Sequence, residues 1–144
     1  MLFIFLFYPK CQIFVIIDSE KLWRFNIMHT LENDQLRVTI SDHGAELSGI
    51  FDKKNNREVL WNADPTYWKR HAPVLFPYVG RLYNDTSLIG GKTYTSGQHG
   101  FARDMEFICT EETGTSVTHL LEATDTTKRA WPYDFQLYIT HTLN

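Results

Sequence analysis

Apolar and polar residues alternate one for one in short runs along most of this chain, and no other feature constrains its fold as tightly. Phe135, Leu137, Ile139, His141 and Leu143 alternate with Gln136, Tyr138, Thr140 and Thr142. Leu36, Val38 and Ile40 alternate with Arg37 and Thr39 in the same way. A period of two sends successive side chains to opposite faces, so each run predicts a half-buried β-strand. Turn chemistry separates the runs. Ser41-Asp42-His43-Gly44 precedes a second strand begun by Ala45, Leu47 and Gly49, and Lys53-Lys54-Asn55-Asn56 is a polar turn before residues 58–61. Gly90-Gly91 predicts a tight hairpin between Leu88-Ile89 and Thr93-Tyr94. Thr113-Gly114-Thr115 predicts another between residues 106–110 and 117–123. Asp64-Pro65 predicts one short helical turn over residues 65–70, and nothing predicts a longer helix. The expected fold class is all-β, an antiparallel β-sandwich.

Composition narrows the function. A chain of 144 residues can bury a core, and 43% hydrophobic against 22% charged residues reads as globular rather than disordered. A net charge of −3 gives no basic face for nucleic acid. Cys11 and Cys109 are too few for a disulfide framework, so free thiols in a reducing cytoplasm are expected. His43, His119 and His141 have no carboxylate or cysteine at ligand spacing along the chain, so no metal site is expected. Glu46, Asp52, Asp85 and Asp104 all lie in ordinary turn or strand-flank contexts, and no pair stands out as glycosidase carboxylates.

The first 27 residues are a separate problem. Residues 1–8 are solidly apolar and residues 13–17 apolar again, but Pro9, Lys10 and Gln12 break the run short of the ~20 residues a membrane-spanning helix needs. No basic residue precedes Leu2 and no small-residue cleavage site follows, so a signal peptide is not expected. Residues 1–27 read either as upstream sequence ahead of a start at Met28 or as an added apolar extension. The domain proper is expected over residues 28–144, with no membrane partner.

Two islands concentrate the chemistry: residues 71–81, His-Ala-Pro-Val-Leu-Phe-Pro-Tyr-Val-Gly-Arg, and residues 99–103, His-Gly-Phe-Ala-Arg. Basic hydrogen-bonding side chains beside Gly, Pro and aromatic residues suit a pocket for a neutral, hydroxyl-rich ligand. The order of P-V-L-F-P-x-V-G-R, then I-G-G-K-T-Y, then H-G-F-A-R-D, then Y-D-F-Q-L-Y-I-T-H-T-L-N, after an opening L-E-N-D-Q-L-R-V-T-I-S-D-H-G-A-E-L, resembles the N-terminal half of the aldose 1-epimerase (galactose mutarotase-like) family. The nearest resemblance is to its bacterial branch associated with lactose and galactose operons.

That resemblance implies a large antiparallel supersandwich with the sugar in an open cleft. It also implies a reaction: α and β anomers of an aldose interconvert by ring opening, with a carboxylate taking the anomeric proton while an imidazolium protonates the ring oxygen. No metal and no organic cofactor is implied. Arg81 matches the family's substrate-binding arginine, against the alternative of a surface arginine at a strand end. His99 matches the first of two active-site histidines. Arg103 belongs to branches with the H-G-F-A-R form and suggests a hexose or a hexose phosphate, against a plain ion pair with Asp104 or Glu106. His71, with Arg70, is placed in the same loop as a substrate contact or a solvated residue. Phe76 and Phe101 are expected in core packing, and Trp61, Trp68 and Trp131 in the core or covering a sandwich edge.

The family's acid histidine and base glutamate correspond to segments beyond Asn144, so no catalytic residue is expected within this chain. The strong run ending at Asn144 has no partner after it, which suggests a truncated chain, against the alternative of a naturally terminal edge strand, and self-association through an exposed strand edge. Three readings stand at this stage: a truncated epimerase, a non-catalytic carbohydrate-binding remnant, and a structural fragment needing a complementary chain.

Overall fold

The computed structural model describes residues 27–144 in full. Of the preceding segment it describes only the backbone pairing of β1 (Leu2–Tyr8) with β2 (Cys11–Ile17), a separate two-stranded antiparallel sheet. The expectation that residues 1–27 stand apart from the domain falls, apart from Ile27 and that pairing, outside the described residues, as does the side chain of Cys11.

Two antiparallel sheets build the body. One runs β3 (Met28–Glu32), β4 (Leu36–Ser41), β5 (Glu46–Asp52) and β6 (Arg57–Glu58) in sequence order. The other places β10 (Ser116–Glu122) between β9 (Ile108–Glu112) and β11 (Gln136–Thr142). A hairpin of β7 (Thr86–Ile89) and β8 (Lys92–Thr95) stands beside them. Gly90 and Gly91 turn it with φ of 56° and 77°, values a side chain would make costly.

Alternation in sequence becomes alternation in burial. Leu31 of β3, Ile40 of β4 and Val117 of β10 are fully buried against one another, with Val38, Leu47, Cys109 and Leu143 packed around them. These contacts press the two sheets face to face, and each such side chain contributes about 1.5–3 kcal/mol through burial. A second cluster joins Ala45, Ala102, Phe107 and Leu121, covered by Phe76, Phe101, Phe135, Leu137 and Ile139. Phe76 and Phe101 therefore pack on the core as expected, with ring centroids 5.9 Å apart and Phe135 against both.

Some expectations shift. Residues 65–70 form a hydrogen-bonded turn rather than a helix: the Tyr67 and Trp68 N–H groups donate to the Asp64 carbonyl, and the Thr66 N–H donates to Asp64 Oδ1. The α-helix that does form, α1 (Asp125–Lys128), is a single turn closed by a reciprocal cap between Thr124 and Thr127. Trp61 and Trp68 are 40% and 49% exposed, so neither is a core residue. The Trp61 Nε1–H is spent on the Trp68 backbone carbonyl at 2.8 Å, which ties the Trp61 indole to the surface loop. Trp131 packs instead between Tyr78 and Tyr133. Among the described residues no helix is long and apolar enough to cross a membrane.

Candidate functional site

The two sequence islands meet, and backbone hydrogen bonds make them do so. The N–H groups of Phe101 and Ala102 both donate to the Phe76 carbonyl, at 2.9 and 3.2 Å, and Phe76 bridges Gly100 in parallel register. The approach is so close that a Cβ on Gly100 would fall 2.1 Å from that carbonyl oxygen, and Gly100 has φ of 75°. Only glycine fits there.

One step away, His99 and Gly80 bond twice. The His99 N–H donates to the Gly80 carbonyl at 2.8 Å, and the Gly80 N–H donates to His99 Nδ1 at 2.9 Å. Nδ1 is thereby an acceptor, so in the neutral ring the hydrogen sits on Nε2. The Gln98 side-chain amide lies 3.2 Å from that nitrogen. His99 adopts φ of 68°, a left-handed conformation that costs a side-chain-bearing residue about 1–3 kcal/mol and is usually kept for a purpose.

Around His99 lies a cleft of about 420 Å³ lined by Trp68, Ala72, Pro73, Leu75, Gln98 and Arg103. Its size and its mix of one aromatic wall with a few polar groups suit a single sugar ring. Arg103 is anchored by a hydrogen bond from Nη2 to the Gln98 carbonyl at 2.7 Å and lies 3.7 Å from Asp104. Arg70 reaches the same acid from the other side and also donates to the Arg103 carbonyl.

Arg81 follows Gly80 directly but is not among the residues lining this cleft. It forms a two-pronged ion pair with Asp85, Nε to Oδ1 and Nη2 to Oδ2 both at 2.8 Å, and is 68% exposed. The hydrogen bonds from Arg81 hold the Asp85 carboxyl below its usual range. His71 also lies off the lining, and its place is fixed by its backbone. Glu46, only 8% exposed, accepts the N–H groups of His71 and Ala72 on one oxygen, at 2.7 and 3.0 Å. The structure thus groups His99 with Arg103, sets Arg81 one residue behind, and leaves His71 at the rear of the loop that forms the wall.

Sequence reading missed Glu46 as the organiser of that loop. Its only signal was a carboxylate on the buried register of β5, beside Leu47, and the loop it holds lies 25 residues away. His29 was missed as well. Its buried ring bonds Asp42 and Glu112, both at 2.9 Å, tying β3 to the turn after β4 and to β9.

Comparison with known proteins bears on the family and the fold. The aldose 1-epimerase family model matches residues 28–144. The chromosomal LacX protein of Lactococcus lactis subsp. lactis is 36% identical over 119 residues, covering 79% of this chain and 40% of the relative. A galactose mutarotase related enzyme from Lactobacillus acidophilus superposes with a TM-score of 0.81 at 43% identity, over 82% of this chain and 39% of that one. A galactose mutarotase-like protein from Lactobacillus casei gives a TM-score of 0.79 at 37% identity, over 82% and 40%. The chain spans about two fifths of the length of these relatives, somewhat less than the half its motifs suggested. Its antiparallel sheets are those of the galactose mutarotase-like fold, and the chain belongs to the aldose 1-epimerase family.

Proposed function

We propose that this chain supplies the sugar-binding part of an aldose 1-epimerase site, holding a hexose in the cleft beside His99 while the proton-transferring acid and base are contributed by segments outside residues 1–144. The observation that carries this reading is the His99–Gly80 pair. It fixes the imidazole tautomer with the hydrogen on Nε2, the nitrogen left for a sugar oxygen, and Arg103 lines the same cleft. Trp68 offers an aromatic wall to the apolar face of a pyranose. Arg81 joins the ligand once its fork is shared with, or released from, Asp85. His71 shapes the site through its backbone, and no metal or organic cofactor enters the chemistry.

A positioned acid or base is worth about 10²–10⁴-fold each, so a chain that binds without either leaves mutarotation at the buffer rate. Polarimetry of freshly dissolved α-D-glucose and α-D-galactose, with tryptophan fluorescence titration against the same sugars and their 6-phosphates, tests both halves. The expected result is saturable quenching with no acceleration. Clear catalysis by the chain would overturn the division of roles, and the absence of any sugar response would overturn the binding role. Tighter binding of the 6-phosphates would mark Arg70 and Arg103 as a phosphate seat; equal or weaker binding would mark a neutral hexose site.

A further inference from the structure

We infer that the interior of the sandwich carries a site for a divalent transition-metal ion of the zinc class, formed by His29 Nε2, Asp42 Oδ1 and His119 Nε2. The three donor atoms come from β3, from the turn after β4 and from β10, and they lie within 4.8 Å of one another. Asp42 Oδ1 is 2.9 Å from the His29 nitrogen and 3.1 Å from that of His119. Tetrahedral zinc with bonds of about 2.0–2.1 Å separates neighbouring donors by about 3.3 Å, so an ion fits if the triad opens by a few tenths of an ångström. The fully buried His119 ring makes its hydrogen bond through Nε2, and its Nδ1 has no partner among the described residues, so re-aiming Nε2 breaks no second hydrogen bond of that ring.

The surroundings are those of a metal ligand set. His29 gives its other nitrogen, Nδ1, to the Glu112 carboxylate at 2.9 Å, the arrangement that orients a metal-bound imidazole and raises its basicity. Register explains how Glu112 gets there. β9 and β10 pair Glu112 with Val117 and Cys109 with His119, skipping Thr110. Without that bulge Glu112 and Cys109 would point to opposite faces; with it both lie on the face that carries the histidines. Two carboxylates, Asp42 at 15% and Glu112 at 46% exposure, face two imidazoles and leave net negative charge beside the buried histidines, which a dication neutralises. Asp42 also lines a cleft of about 350 Å³ with Phe107, Ile108 and Leu120, a path for the ion and a place for water as fourth ligand. The Asp42 carbonyl accepts the Phe107 N–H at 2.9 Å, so an ion here would clamp β3 and β10 to the segment that follows Arg103.

The site is independent of the sugar cleft, and its test does not use activity. The full 144-residue chain is stripped with chelator and titrated with Co²⁺ and Zn²⁺, following visible absorption and the melting temperature. The expected result is the intense d–d spectrum of four-coordinate cobalt at one equivalent, and a melting temperature that rises with Zn²⁺. Asp42→Asn, which keeps the hydrogen-bonding shape but loses the charge, should remove both responses. His43→Gln, which alters the surface pair with Glu106, should leave them intact. Absence of the cobalt spectrum from the wild-type chain overturns the proposal whatever the variants do. A near-ultraviolet thiolate charge-transfer band also overturns it, because it would place the ion on Cys109, Glu112 and the far nitrogen of His29 instead.

Discussion

Gly80 and His99 exchange two hydrogen bonds, backbone to backbone at 2.8 Å and Gly80 N–H to the imidazole Nδ1 at 2.9 Å. Residues nineteen apart in sequence are thereby one unit: the first fixes the tautomer and direction of the second. Replacing His99 by Ala should weaken sugar binding roughly ten-fold, the worth of one well-made hydrogen bond, when measured by fluorescence titration. His99→Asn tolerates the left-handed backbone and offers an acceptor to Gly80, so it should fold better than the Ala variant while binding sugar no better.

Gly100→Ala should destabilise the chain more than any surface change. The added Cβ meets the Phe76 carbonyl at 2.1 Å, and a φ of 75° is strained for alanine. Relieving both means parting the two islands, at roughly 2–3 kcal/mol. Urea unfolding should show a lower midpoint and, in the remaining folded chain, lost sugar response.

Glu46 is predicted to control the wall of the cleft. Glu46→Ala strands the His71 and Ala72 N–H groups, costing about 1–3 kcal/mol for each left without a partner. Those two amides should lose protection in hydrogen exchange before the strands do. Glu46→Gln keeps a neutral oxygen in reach and should restore part of the protection.

The Arg81–Asp85 pair gives a pH dependence of definite sign. Asp85 ionises below its unfolded value near 3.8 because Arg81 hydrogen-bonds the carboxylate. Its contribution is complete above that value and is lost as pH falls through the lower folded value. Carboxyl chemical shifts followed by NMR should place the Asp85 midpoint below that of an unpaired aspartate, and Arg81→Ala should return it upward. Because the pair is solvent-exposed, Arg81→Ala should leave the melting temperature nearly unchanged and act on sugar affinity.

Much of this molecule was legible in its sequence for local reasons. The hairpin at Gly90-Gly91, the alternating strands around Ile40 and Ile139, and the packing of Phe76 and Phe101 each follow from a few adjacent residues. Aldose 1-epimerase kinship was legible because its motifs are short and ordered. What escaped depended on contacts distant in sequence. His119 lacks a carboxylate at ligand spacing, yet Asp42, 77 positions away, is within 3.1 Å once the sheets stack. Glu112 reaches His29 because Thr110 is bulged, and alternation alone would have sent it and Cys109 to opposite faces. Trp68 looked by type like core or cover for a sandwich edge, but the turn nucleated by Asp64 carries it to the lining of the cleft.

The most direct test of sugar binding at His99 is a galactose titration of the ¹⁵N-labelled chain followed by amide and indole resonances. Saturable shifts confined to Gly80, Gln98, His99, Arg103 and the Trp68 indole, absent in His99→Ala, are the predicted result. Unmoved resonances at those positions, or shifts that persist in His99→Ala, would contradict it.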